Sequence, residues 1–163
     1  MISDQVREIP VVSALLARYT DAIKGGNNRL NELTLEIEPA QILDVCRFFK
    51  EEQKYVRLSA ITAVDWYPME PRFEVVYFLH SMERRGERVR LKCRLHGDKP
   101  EVESVTSLWV GANWYERETF DLFGIRFLNH PNLTRIMMPD DWDGHPLRRD
   151  FPVHGHKYSY KDE

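Results

Sequence analysis

The residues best equipped for chemistry crowd into one short stretch, Asn113 to Arg135, reading NWYERETFDLFGIRFLNHPNLTR. It holds three carboxylates (Glu116, Glu118, Asp121), three guanidinium groups (Arg117, Arg126, Arg135) and one imidazole, His130. A carboxylate among apolar neighbours must find a donor or take up a proton, because an unpaired buried charge is too costly. Helical spacing over 113–124 places Trp114, Tyr115, Glu118, Thr119, Leu122 and Phe123 on one face. Glu116, Arg117, Phe120 and Asp121 fall on the other. Glu118 therefore reads as an inward carboxylate with Arg126 or Arg135 as its partner. A structural ion pair is the stronger reading and a general acid or base the sharper one. Arg117 and Asp121, four residues apart, are spaced to pair across one turn. His130-Pro131 reads as a turn, with the ring bonded to backbone.

The same stretch carries its own helix punctuation. Asn113 can cap the N-terminus, with Glu116 three residues on reaching back in a capping box. Gly124 supplies the left-handed residue that closes the helix.

Other chemistry is absent from the pattern. His130, His145, His154 and His156 match no zinc spacing, and Cys46 and Cys93 are too few and too far apart for a metal or iron–sulfur site. Cys46 reads as a small core residue. No phosphate-cradling glycine loop and no nucleophile elbow occurs. A net charge of −3 argues against general polyanion binding. No apolar run is long enough to span a membrane, and the acid-bearing N-terminus does not resemble a targeting peptide. A cytosolic chain that meets membranes only through partners is expected.

Several elements must position this stretch. Asp4 to Lys24 has helical spacing and Gly25-Gly26-Asn27-Asn28 ends it, giving an N-terminal helix and linker over 1–28. It packs either on its own domain or on another subunit. Leu33 to Glu38 alternates as a half-buried strand, and Pro39 opens a helix to about Gln53. Tyr55 to Asp65 is a strand, Phe73 to His80 a central strand covered on both faces, and Glu87 to Leu95 its hairpin partner. Arg88, Arg90, Lys92 and Arg94 line one side of that last strand. They read as a solvated face guarding an edge, or as a docking face for an acidic partner, with no nucleic-acid binding. Val102 to Val110 reads as a short helix. These elements make an α+β core domain over 29–138, a mixed β-sheet packed with helices.

Beyond Gly124 the chain is poor in regular structure, and Pro131, Pro139, Pro146 and Pro152 interrupt both helix and ladder bonding. Residues 139–163 form an extended, proline-punctuated tail. It either wraps its own domain or lies along another protein. Trp142, Leu147 and Phe151 beside Arg148 and Arg149 have the chemistry of interface hot spots. They favour an assembly element outside the folding core, ordered only on a neighbour.

The run E-R-E-T-F-D-L-F-G-I-R-F-L-N-H-P-N-L-T-R from Glu116 to Arg135 resembles the signature of the 30-kDa subunit of respiratory complex I, the C-subunit of the bacterial enzyme. IMMPDDWDGHPLRRDFP, Ile136 to Pro152, continues the likeness. The resemblance implies a structural subunit of the hydrophilic arm of a proton-pumping NADH:quinone oxidoreductase, with no cofactor of its own. Flavin mononucleotide, iron–sulfur clusters and quinone would belong to partner subunits. It would dock on the D-subunit, which looks like a hydrogenase large subunit, and on the neighbouring iron–sulfur subunits, on the cytoplasmic side of the membrane. Within the family, the alternative is the equivalent subunit of a membrane-bound hydrogenase or dehydrogenase with another electron donor. Outside it, the alternative is a free-standing enzyme using Glu118 and His130.

Overall fold

A computed structural model describes residues 4–84 and 86–152. Five strands form a mixed sheet in the order β1-β2-β5-β4-β3, with β1 at Ile23–Arg29, β2 at Glu32–Ile37, β3 at Arg57–Asp65, β4 at Phe73–His80 and β5 at Arg88–Leu95. β2 and β5 run parallel and the other pairs antiparallel. The α+β reading holds.

Period-two alternation explains the two faces of the sheet. Phe73, Val75, Tyr77 and Leu79 of β4 stand in register with Leu95, Cys93, Leu91 and Val89 of β5, and all eight are buried. Leu33 and Leu35 of β2 continue that face. The helices α1 (Asp4–Arg7), α2 (Pro10–Arg18), α3 (Ile42–Arg47) and α4 (Ala112–Phe123) contribute Val6, Val12, Leu15, Val45, Cys46, Ala112 and Phe123 to the same core. Cys46 is a sealed core residue, its thiol pushed above the ordinary range by burial and by Glu116.

β4 is the buried strand that its composition predicts. β5, however, is the middle strand and guards no edge. Its cations pair within the sheet, two to each carboxylate: Arg88 and Arg90 with Glu32 at 3.7 and 2.9 Å, and Lys92 and Arg94 with Glu74 at 2.7 and 3.0 Å. Arg90 and Arg94 also lie over Phe78 and Trp66.

Three expectations about elements need correction. Gly25-Gly26-Asn27-Asn28 is no linker; it lies within β1, which pairs with β2 through a turn at Leu30 and Asn31, both at positive φ. An edge strand needs backbone bonds more than side chains, so its polar composition hid it. The N-terminal segment is a short helix and a second one that opens on Pro10 and ends at Arg18, packed on its own domain. Val102 to Val110 is not a helix: β6 (Glu101–Glu103) pairs in parallel with β7 (Arg126–Leu128), and turns come after β6. The segment after Pro39 is helical as expected, passing from a 3₁₀ turn through α3 into a π turn over Phe48–Glu52.

Candidate functional site

Helix α4 and its surroundings hold most of the residues singled out by the sequence, in an arrangement that differs from the expected one. Its inward stripe is Ala112, Glu116, Thr119 and Phe123, spaced four, three and four apart. Trp114 is 58% exposed and Glu118 is exposed, so that edge of the expected apolar face turns outward, while Thr119 and Phe123 stay inward and Tyr115 and Leu122 pack half-buried against the core. The inward stripe holds a carboxylate and a hydroxyl, and a count of apolar residues cannot find it. Neither polar side chain is orphaned: Thr119 donates to the Tyr115 carbonyl, and Glu116 accepts from Ser104 and Val105.

The expected ion pair of Glu118 with Arg126 or Arg135 does not form. Arg126 pairs with Glu101 at 3.4 Å and Arg135 with Asp121 at 2.5 Å. The capping box is also absent: the residue before the helix is Gly111, no side chain caps it, and Glu116 points into the core. Gly124 does close the helix, at φ 74°.

Asp121 is the hub that gathers the segment after β7. It is fully buried, and its Oδ2 accepts the backbone N–H groups of Ile136, Met137 and Met138 at 2.9, 2.7 and 2.9 Å. Burial alone would raise its pKa, but these donors and Arg135 bring it below the ordinary range. Arg135 then donates to the carbonyls of Trp142 and Gly144. Arg117 does not pair with Asp121; it donates to the Thr134 and Arg135 carbonyls and lies over the Trp114 ring. Three backbone donors and a guanidinium compensate a buried carboxylate more fully than Arg117 alone could.

The tail lies along its own domain. Leu147 N–H donates to the Leu122 carbonyl, and Arg148 Nε donates to the Phe123 carbonyl while its guanidinium stacks on Phe73. His145 Nδ1 meets the Asp121 carbonyl oxygen, and its ring stands edge-on to Phe120. Asp150 takes Arg72 in a bidentate pair, and Arg149 N–H donates to Asp65. Arg72, 9% exposed, also clasps Asp65 and lies over the rings of both Tyr67 and Phe73. Burial would raise Asp65, yet Arg72 and the N–H groups of Arg149 and Tyr67 hold it down to about 2. The expectation of a tail separate from the folding core is therefore corrected for residues up to 152; residues 153–163, with His154 and His156, lie outside the described part. Leu147 is nevertheless 51% exposed and Met137 62% exposed, while Trp142 and Phe151 are half-buried and Pro131 is exposed.

Sequence reasoning missed Asp65, Arg72 and Asp150. They are separated by up to 85 positions, and no local pattern links them.

The second polar cluster lies on the inner side of α4. Glu116 Oε1 accepts Val105 N–H at 2.7 Å, and Oε2 accepts Ser104 Oγ–H at 2.6 Å. Burial pushes Glu116 up to about 7 against these two donors. His130 Nδ1 accepts Asn132 N–H at 3.0 Å, the ring-to-backbone turn that His130-Pro131 predicts. The ring is 1% exposed, and its Nε2 stands 3.9 Å from Glu116 Oε2. Burial lowers its pKa, the Asn113 backbone opposes that, and Arg117 adds to it. With His130 sealed and Glu118 in solvent, the two do not make an acid–base pair for a substrate.

Fold and site together define an α+β scaffold whose buried carboxylates organise its own chain. Residues 35–157 match the family described as the respiratory-chain NADH dehydrogenase 30 kDa subunit, and the chain belongs to that family. A relative named as the C-subunit of NADH-quinone oxidoreductase, from Roseiflexus castenholzii, is 46% identical over 145 residues, 88% of this chain and 83% of its own. A protein of the same name from Geotalea uraniireducens is 39% identical over 94% of this chain and 93% of its own. Among solved structures, a trypsin-resistant fragment of Nqo5 is 27% identical with a TM-score of 0.65, over 76% of this chain and 99% of the fragment. A chain of the membrane-bound sulfane sulfur reductase, an archaeal respiratory membrane complex, is 30% identical with a TM-score of 0.75, over 88% of this chain and 84% of its own. No helix among the described residues is long and apolar enough to cross a membrane.

Proposed function

We propose that this chain is the C-subunit of a proton-pumping NADH:quinone oxidoreductase, a structural and assembly component of the hydrophilic arm. The family match over residues 35–157 carries the reading. In it, the chain holds no cofactor, while flavin mononucleotide, iron–sulfur clusters and the quinone site belong to its neighbours. It docks on the D-subunit and the adjacent iron–sulfur subunits, on the cytoplasmic side, and reaches the membrane only through them. Uncovered apolar side chains support a docking role: Val110, Trp114, Met137 and Leu147 are 86, 58, 62 and 51% exposed. Arg117 joins Trp114 to the 134–135 backbone, so part of this surface is built by α4 and the segment after it together. Exposed aromatic and aliphatic anchors of this kind mark protein contacts.

A second reading is the equivalent subunit of a related membrane complex with another electron donor. The sulfane sulfur reductase chain, at a TM-score of 0.75, favours it. Gentle affinity purification of the tagged chain from membranes, with mass spectrometry of its companions, tests both. Co-purification of NADH-oxidising flavoprotein subunits supports the first reading. A complex with a different electron-input subunit supports the second, and a chain recovered alone refutes both.

A further inference from the structure

We propose that Glu116, Ser104 and Thr106 form a buried proton-binding site with a hydroxyl relay to the surface, in which Glu116 gains and loses the proton and His130 stays neutral. The site is enclosed: Glu116 is 0% and Ser104 4% exposed, whereas Thr106 is half-buried. Thr106 Oγ1 lies 2.7 Å from Ser104 Oγ, which lies 2.6 Å from Glu116 Oε2. Both spacings suit O–H···O bonds, and each hydroxyl can donate or accept.

With Glu116 ionised, Thr106 donates to Ser104 and Ser104 donates to the carboxylate. Loading moves three protons by one bond each. Solvent gives a proton to Thr106 Oγ1, the Thr106 hydroxyl proton passes to Ser104, and the Ser104 proton passes to Oε2. The net change is one proton added to one carboxylate. The loaded chain points the other way, Glu116 donating to Ser104 and Ser104 to Thr106; unloading reverses the three transfers, Thr106 returning a proton to solvent, and that alone restores the first arrangement. Val105 N–H holds Oε1 in both states.

The surroundings allow both states. Cys46 of α3 and Tyr77 of β4 face the carboxyl as neutral groups, both made harder to ionise by burial and by Glu116. Arg117, on the same helix, acts on His130. Among the described residues, the one basic group within ion-pair range of Glu116 is His130, at 3.9 Å. Its Nδ1 already accepts Asn132 N–H, so the ring carries its proton on Nε2, and a second proton would break the 130–132 turn. The excess proton therefore belongs to the carboxyl. An ionised form with two donors and no paired cation is disfavoured by burial, which brings its titration into the neutral range.

Carbon-13 NMR of the Glu116 side-chain carboxyl in the full chain, assigned through its own backbone, tests this between about pH 5 and about pH 9. One titration step in the neutral range is expected. Nitrogen-15 shifts of His130 should report the Nε2–H form throughout. Ser104→Ala should raise the proton affinity of Glu116 roughly tenfold, because a donor to the carboxylate is lost. A carboxyl that titrates in the ordinary acidic range, one that stays protonated to the alkaline end, or a proton found on His130 would each overturn the proposal.

Discussion

Replacing Asp121 by Asn keeps the shape of the side chain and removes its charge. The native carboxylate takes three backbone N–H groups on Oδ2 and Arg135 on Oδ1. An amide has one acceptor oxygen and one donor nitrogen. If the oxygen faces Ile136, Met137 and Met138, the NH2 group confronts Arg135; in the other orientation it confronts three N–H groups. The first is the less costly. It leaves the Arg135 guanidinium, 17% exposed, without its anion. Breaking one side of a buried pair costs roughly 3–5 kcal/mol. Arg135 keeps the Trp142 and Gly144 carbonyls, so the lower end, about 3 kcal/mol, is expected. For a domain of this size, that lowers Tm by about 10 °C. Because Asp121 is held below the ordinary carboxylate range, its contribution is present at neutral pH and lost as pH falls through its depressed pKa. The melting curves of wild type and D121N should thus converge in acid. Hydrogen exchange should show the amides of Ile136, Met137 and Met138 losing protection. A variant that melts within about 2 °C of wild type at neutral pH, with those amides still protected, would refute the assigned hub role.

The same geometry sets four other outcomes. Glu118→Ala should change stability by no more than about 0.5 kcal/mol in a denaturant titration, since Glu118 is exposed. Gly124→Ala should destabilise by more than about 1 kcal/mol and loosen the tail in a proteolysis assay, because φ is 74° and a Cβ would meet the His145 ring at 2.6 Å. Ending the chain after Met138 removes the Asp150 partner of Arg72 and the carbonyl ligands of Arg135; a thermal melt should shift clearly downward. Stability should also carry a signature of Glu116. Its folded pKa is raised from 4.5 to about 7, so its contribution is whole below pH 4.5 and lost as pH rises to 7. The span is about 3 kcal/mol, and Glu116→Gln should flatten it in pH-dependent denaturation.

Much of the architecture is legible in the sequence because it obeys local rules. Strict alternation over Glu87 to Leu95 identifies β5, its apolar neighbour Phe73 to His80 reads as a strand buried on both faces, and Gly124 marks the end of α4. The long ordered signature from Glu116 onward points to the family without any geometry. Tertiary structure alone decides which way α4 turns. Hydrophobic periodicity assigns the inward face to Trp114 and Glu118, but the energy of burial depends on partners as well as on polarity. Glu116 goes inward because Val105 and Ser104, brought beside it by the β6–β7 pairing, supply donors. Asp121 is buried because the chain after β7 returns with three N–H groups and Arg135. The Asp65–Arg72–Asp150 clasp likewise joins residues far apart in sequence. A residue's local pattern records its own polarity and spacing; whether a charge can be buried depends on what distant chain arrives to meet it.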